Sequence, residues 1–292
     1  MAEITIDKTA CVRCGACVDV CAIAGVFELK DDGAHAVHPE RCWGCGHCVA
    51  VCPTDAIDHE DFPLEEAPII EQGILPSLES LETAFRARRS CRMFKDEPVP
   101  RDLVRLLVSV GRWGPTAHNS QAVDWLGIDD RLRIAEVAKL TIDRLVHYAR
   151  LLGNPLLRPL LSLAFGKGNV RTLKDYRRTA FSLSKRWGEG KDPIFYRAPV
   201  VLIAHTPSGN PFGCDDAAYA AYHVILAAER LGLGTCQIGF VQGLANRDRK
   251  IKRAIPVPAS RKVQVVLALG YPKHNFRRML PRRDPNLVWN PR

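Results

Sequence analysis

The sequence predicts an α+β protein built as a small cysteine-rich domain followed by a larger layered domain. Three observations carry that expectation. Eight of the eleven cysteines stand in two matching runs before residue 53, β-branched runs alternate with helical patterns further along, and the charge divides sharply between the two parts. The expected division is 1–60 for the cysteine domain, 61–80 for a linker and 81–292 for the larger domain.

In the first part, Cys11, Cys14, Cys17 and Cys21 read C-x2-C-x2-C-x3-C, and Cys42, Cys45, Cys48 and Cys52 repeat the pattern. Three thiolates at that spacing wrap one iron–sulfur cube, and the fourth, displaced by three further residues, reaches the other cube. The spacing therefore assigns Cys11, Cys14, Cys17 and Cys52 to one 4Fe–4S cluster. Cys42, Cys45, Cys48 and Cys21 take the second. A zinc site needs ligand pairs separated by a longer span, commonly with histidines. A disulfide framework needs an oxidising compartment, and no signal-like segment precedes the first run here. The expected setting is cytoplasmic and reducing.

Asp7–Phe27 and His38–Ile57 align, cysteine on cysteine, as an internal repeat related by a pseudo-twofold. A domain this small buries little apolar surface, so metal ligation is expected to hold it together as well as to carry electrons. The repeat is imperfect: Pro53 follows Cys52, but Ala22 follows Cys21, a departure expected to loosen that turn. Trp43, where Val12 stands in the first half, is expected to shield a cube from water.

The overall charge is +9, yet residues 1–87 carry 5 Lys+Arg against 16 Asp+Glu, a net of −11, and residues 88–292 carry a net of +20. Either the halves attract each other, or the basic half steers an acidic redox partner, or the charge is only a solvated surface. No nucleic-acid motif accompanies it, so no nucleic-acid partner is expected. The most apolar stretch, Leu145–Phe165, is interrupted by Arg150, Pro155, Arg158 and Pro159. These breaks argue against a membrane span.

From Asp58 to Ser80 the chain is acidic and broken by Pro63, Pro68 and Pro76, which reads as a linker. A helix is expected around Leu81–Arg88, and a second through Leu103, Leu106, Leu107 and Val110, stopped at Gly111. Val123–Ile128, Val200–His205 and Val263–Leu269 read as buried strands. Asp216–Leu231 reads as a helix closed by Gly232 and Gly234, whose Ala217, Ala218, Ala221 and Ala228 allow a close approach to another element.

No G-x-G-x-x-G opens a βαβ unit and no G-x-x-x-x-G-K-[ST] is present, which excludes the usual dinucleotide and ATP loops. Arg88, Arg89, Ser90 and Arg92 gather charge and hydroxyl donors in one short segment that suits a phosphate, or forms a solvated basic turn. Cys91, Cys214 and Cys236 lack cluster spacing and read as small hydrophobes. His118 is either a proton donor or a structural residue.

RRSCRMFKDEPVP, WGPTAHNSQAVDW, AAERLGLGTCQIGF and LGYP follow one another in that order. Together they resemble the FMN-dependent nitroreductase family over about residues 81–283, and residues 1–60 are similar to a two-cluster bacterial ferredoxin. The fold implied is a nitroreductase-like FMN fold preceded by a ferredoxin-like domain with two 4Fe–4S clusters. The resemblance implies that Arg88, Ser90 and Arg92, helped by Arg89, hold the FMN phosphate and ribityl chain. It places Asn119 and Gln121 at the flavin ring, the backbone of Gln237, Ile238 and Gly239 along its central edge, and Arg282 or Arg283 at the phosphate. Ala122 stands where a proline is usual, and Gln237 replaces the frequent tryptophan or proline. In such proteins the segment equivalent to Arg171–Tyr196 covers the active site; here it reads equally as a surface helix pair.

The function implied is an iron–sulfur flavoprotein oxidoreductase. Clusters pass single electrons to FMN, which reduces a nitro compound, quinone or activated alkene by hydride transfer. The partners implied are a small-molecule substrate, an external donor (ferredoxin, flavodoxin or reduced nicotinamide) and a second copy of the chain. The alternatives are reduction of a different metabolite, including reductive dehalogenation, and a non-catalytic electron carrier or redox sensor.

Overall fold

The computed structural model of the chain describes residues 3–151, 153, 154 and 169–290, with side chains outside 169–175. The sequence expectations that fall on 155–165 lie outside the described residues. The chain divides into two compact units. One is Met1–Ser77 together with Thr116–Gln121, and the other is Leu78–Pro115 with Ala122–Arg292.

The first unit contains two antiparallel ribbons. Strand β1 (Ile4–Ile6) pairs with β4 (Ile57–His59), and β2 (Phe27–Lys30) with β3 (Gly33–Ala36). Between them lie helices of a single turn or little more, α1 (Ala16–Val20) and α2 (His47–Val51). The internal repeat is visible in the backbone. Gly15 and Gly46 precede the two helices with φ of 77° and 72°, and Arg13 and Gly44, two residues earlier, have φ of 59° and 63°. Each run must thus turn left-handed twice, a conformation that costs a non-glycine residue such as Arg13 about 1–2 kcal/mol.

The two runs end differently, and proline is the reason. Cys52 is extended (φ −69°, ψ 118°), as a residue before proline must be, and leads into Pro53. Cys21 precedes Ala22 and adopts φ −106°, ψ 16°, after which Gly25 donates its N–H back to the Cys21 carbonyl at 2.8 Å.

The second unit is a four-stranded antiparallel sheet in the order β5 (Asp124–Ile128), β6 (Val200–Pro207), β8 (Arg261–Gly270), β7 (Gly234–Gln237). Both faces are covered, which explains the unbroken apolar runs of β6 and β8. Val201, Ile203, Val266 and Ala268 face one core, shared with α5 (Arg131–Leu151) and α6 (Asn169–Gly188). Leu202, Ala204, Val265 and Leu267 face the other, shared with α4 (Arg101–Gly111) and α7 (Gly213–Arg230). The period of two that defines a strand sorts the residues between the layers. Helix α3 (Leu78–Ala87) precedes α4, while α8 (Gly239–Ala245) and α9 (Arg249–Ala254) connect β7 to β8.

The alanine-rich helix does approach a neighbour closely. A Cβ on Gly111 would lie 2.8 Å from Val224, and one on Gly114 would lie 2.6 Å from the backbone of Ala220. Of the four alanines expected there, Ala217, Ala221 and Ala228 are buried, but Ala218 is exposed, because one residue along a helix rotates the side chain by about 100°. Within the basic segment, α6 buries Ala180 and Leu183 in the core and packs Tyr176 and Trp187 against it. The described part is therefore a core-bearing helix.

Candidate functional site

Four thiols bound one cavity in the first unit: Cys11, Cys14, Cys17 and Cys52, three from the first run and the last of the second. A cube takes one thiolate at each iron, so ligands that surround a volume fit it. Around the other set, burial pushes the Cys48 thiol up to about 11, and nearby Cys42, Cys45 and Cys21 push the same way. Backbone N–H groups aim at a sulfur of each set: Gly44 at Cys42 Sγ (3.4 Å) and Ala56 at Cys52 Sγ (3.2 Å). Such donors orient thiolates and stabilise their negative charge.

The sequence reading passed over His59. Its buried ring places Nε2 3.5 Å from Cys42 Sγ, while Nδ1 accepts the Asp61 N–H at 3.1 Å. The one available signal was the internal repeat, which sets His59 against Glu28.

Loop Thr116–Gln121 belongs to the same unit as the clustered thiols. Asn119 Nδ2 donates to the Gly44 carbonyl at 2.5 Å, and the His118 ring meets Trp43 edge-on with centroids 5.2 Å apart. Trp43 is about half exposed. His118, Asn119 and Gln121 are all left-handed, with φ between 46° and 54°. Three such residues in four are strained and persist only when their surroundings hold them. Gln121 is exposed, its N–H bonded to Thr116 Oγ1 at 3.0 Å.

In the second unit three of the four motif segments converge. Ser90 bridges to Thr235 in parallel, and Cys91 donates its N–H to the Thr235 carbonyl at 2.8 Å. Phe94 bridges to Pro272, and Lys95 donates to the Tyr271 carbonyl at 2.8 Å. Glycine is required at 234, because a Cβ there would lie 2.7 Å from Cys91 Cβ. Arg92 reaches Cys236: burial pushes that thiol up, and the Arg92 guanidinium pulls against it. Arg88, Arg89 and Ser90 are half-buried, Arg92, Gln237 and Gly239 exposed, and Ile238 buried. Arg282 and Arg283 lie exposed in a C-terminal segment without regular secondary structure.

Segments of those three motifs line a cavity of about 220 Å³, among them Arg89, Cys91, Glu229, Gly234, Pro272 and His274. Arg89 donates its backbone N–H to Glu229 (3.0 Å) and its Nη1 to the carbonyls of Arg86 and Arg88 (both 2.8 Å). Its Nη2 is buried with no hydrogen-bond partner among the described residues. A buried donor of that kind fits an acceptor supplied by a bound molecule, such as a phosphate oxygen.

Comparison with known proteins completes the picture. Residues 85–271 match the Nitroreductase family and residues 10–56 match the 4Fe-4S dicluster domain. The N-terminal part is 38% identical over 66 residues to Ferredoxin 7Fe of Hydrogenibacillus schlegelii, covering 23% of this chain and 82% of that one. It is also 40% identical over 62 residues to Polyferredoxin protein MvhB of Methanothermus fervidus, covering 21% of this chain and only 14% of that protein. Among solved structures, a nitroreductase with bound FMN from Desulfitobacterium hafniense DCB-2 superposes with a TM-score of 0.53 at 17% identity, covering 74% of this chain and 100% of that one. One from Bacteroides fragilis NCTC 9343, also with bound FMN, gives 0.51 at 19%, covering 72% and 98%. At these identities the structural likeness speaks for the fold alone. The family match, which spans most of the chain, says more: the protein belongs to the Nitroreductase family of FMN-dependent oxidoreductases and carries a 4Fe–4S dicluster ferredoxin domain ahead of it.

Proposed function

We propose that the protein is a reductase in which electrons enter at two cysteine-bound clusters and leave from FMN onto a small organic acceptor. The acceptor class is a nitro compound, a quinone or an activated alkene. The observation that carries this reading is loop Thr116–Gln121. It contains the N-x-Q motif attributed to the flavin ring, and its Asn119 and His118 contact the Cys42–Cys45 ligand loop through Gly44 and Trp43.

The bound groups supply single-electron transfer from iron–sulfur clusters and delivery of a hydride equivalent from a flavin. The chain's own residues do the rest. Cys11, Cys14, Cys17 and Cys52 hold one cluster, and Cys42, Cys45, Cys48 and Cys21 hold the other. Arg88, Ser90 and Arg92 hold the FMN phosphate and ribityl chain, the arginines by charge and the serine by its hydroxyl, with the Arg89 Nη2 donor as a fourth contact and Arg282 or Arg283 closing from the C-terminal segment. Asn119 and Gln121 orient the ring, and the backbone of Gln237, Ile238 and Gly239 runs along its edge.

A second copy of the chain completes the protein. Exposed apolar side chains support this: Trp113, Tyr219 and Tyr222 in and around α4 and α7, and Leu287, Val288 and Trp289 near the C-terminus. Patches of that kind mark association surfaces. A reduced ferredoxin, flavodoxin or nicotinamide serves as external donor, in a cytoplasmic setting. Among the described residues no helix is long and apolar enough to cross a membrane.

Anaerobic purification followed by iron, sulfide and flavin quantification tests the reading. Near eight irons and one FMN per chain are expected, with flavin bleaching after the clusters are reduced and recovering on addition of a nitroarene or quinone. Arg92→Ala should lose flavin and keep its iron. Stoichiometric FMN with no turnover on any acceptor would mark an electron carrier or sensor, and turnover confined to haloaromatics would mark a dehalogenase.

A further inference from the structure

On β4 the side chains alternate inward and outward, so that Ile57 and His59 are buried while Asp58 is exposed. A buried imidazole is costly unless both its nitrogens find partners. The Asp61 backbone N–H points at His59 Nδ1 from 3.1 Å, which makes that nitrogen an acceptor. A neutral imidazole carries a single proton, so it sits on Nε2. Nε2 lies 3.5 Å from Cys42 Sγ, within reach of an N–H···S bond. The ring is held there by Phe62, tilted against it at 5.0 Å between centroids. Phe62 in turn occupies the space that a Cβ on Gly46 would need, at 3.3 Å.

We propose that His59 sets the reduction potential of the 4Fe–4S cluster ligated through Cys42, by donating its Nε2–H to that thiolate. The inference rests on the reading that Cys42 ligates a cluster. Adding one electron makes the cluster and its thiolates more negative by one unit. A hydrogen-bond donor on a ligand sulfur stabilises the reduced form more than the oxidised form, so the potential rises.

The internal repeat provides the control. Cys11, the counterpart of Cys42, takes backbone N–H groups of Ala34 and Arg13, and the position equivalent to His59 is the exposed Glu28. Both sulfurs take backbone donors, Cys42 from Gly44, but at Cys42 a side-chain N–H is added to them. Its ligand loop is the one that carries Trp43 and Gly44 against loop Thr116–Gln121.

The test is a redox titration of the anaerobic holoprotein followed by EPR, comparing wild type with His59→Phe, which keeps an aromatic ring without the N–H, and His59→Gln, which restores an amide donor. His59→Phe should lower the midpoint of one cluster, changing its oxidised-to-reduced ratio about tenfold at fixed ambient potential (~59 mV for one electron), with the other cluster and the flavin unmoved. His59→Gln should recover part of the shift. Identical midpoints in all three proteins, or an equal shift in both clusters, would overturn the proposal. Should the variants fail to assemble, pulsed EPR on protein carrying 15N-histidine reads the bond directly. Nitrogen coupling to one reduced cluster is expected, retained in His47→Gln, and its absence sinks the idea. A wild-type preparation without iron or sulfide would instead remove the cluster reading beneath it.

Discussion

The larger unit fills its interior with side chains, whereas the cysteine unit leaves part of its interior to thiols. On one side of the four-stranded sheet Leu107, Leu202, Val224, Leu267 and Leu269 are fully buried, and a second core of α5, α6, α8 and α9 covers the other. Among its described residues the cysteine unit buries Cys17, Val26, Phe27, Ala34, Cys48, Val49, Ala56 and Ile57, two of which are cysteines of the repeated runs. Its ribbons are three and four residues long, too short to be stable alone. The difference teaches that the same chain uses apolar burial where it has length and metal ligation where it does not.

Stripping iron with a chelator should break the symmetry between the units most severely. Amide protons of β1 and β4 should exchange on the order of a thousandfold faster, while those of β6 and β8 stay protected. Equal loss in both units would refute the contrast.

Leu267→Ala attacks the other side of it. Deleting a fully buried leucine costs about 3 kcal/mol, which should lower the thermal midpoint of the sheet unit by roughly 10 °C with cluster absorbance unchanged. Gly234→Ala is expected to cost about 1–3 kcal/mol by overpacking. Because the clash is with Cys91, flavin retention should fall more than stability.

The smallest effect concerns Asp248, which caps α9 through the N–H groups of Lys250 (2.9 Å) and Ile251 and pairs with Arg144 of α5. Burial pushes its carboxyl up, but those backbone donors and Arg144 outweigh burial and hold it below the ordinary aspartate range. A depressed folded value means the contribution is complete above the unfolded value and lost as pH falls through the folded one. Asp248→Asn should remove that acid sensitivity, at a cost of about 1 kcal/mol near neutrality; thermal melts between pH 3 and 7 would measure both.

What could be read from the sequence follows the range of the forces involved. The cysteine runs are local, and their ligand spacing is a property of ten or so residues. Strands β6 and β8 announce themselves by composition, since both their faces meet apolar cores, whereas β5 lies at the sheet edge and buries only Ile128, short of the buried strand expected over Val123–Ile128. Strand β7 does not: Gly234–Gln237 has four residues and one glycine, and it is a strand because β8 pairs with it and Cys91 bonds to Thr235. The convergence of RRSCR with GTCQIG and LGYP follows from family resemblance alone, because Ser90 and Phe94 meet Thr235 and Pro272 across more than a hundred residues. His59 escaped notice because its tautomer is fixed by the Asp61 N–H, which no spacing rule reveals. The attachment of Thr116–Gln121 to the cysteine unit was equally invisible, because contacts such as Asn119 with Gly44 and His118 with Trp43 join residues some 75 positions apart.

That loop makes the cysteine unit discontinuous in sequence. The chain leaves the cysteine unit after Ser77, returns at Thr116 and leaves again after Gln121. Cutting or transplanting the N-terminal segment alone would strand six residues of its unit in the remaining polypeptide. A chimera with a foreign ferredoxin must therefore carry a matching Thr116–Gln121 segment, so modular exchange in this protein requires two grafts.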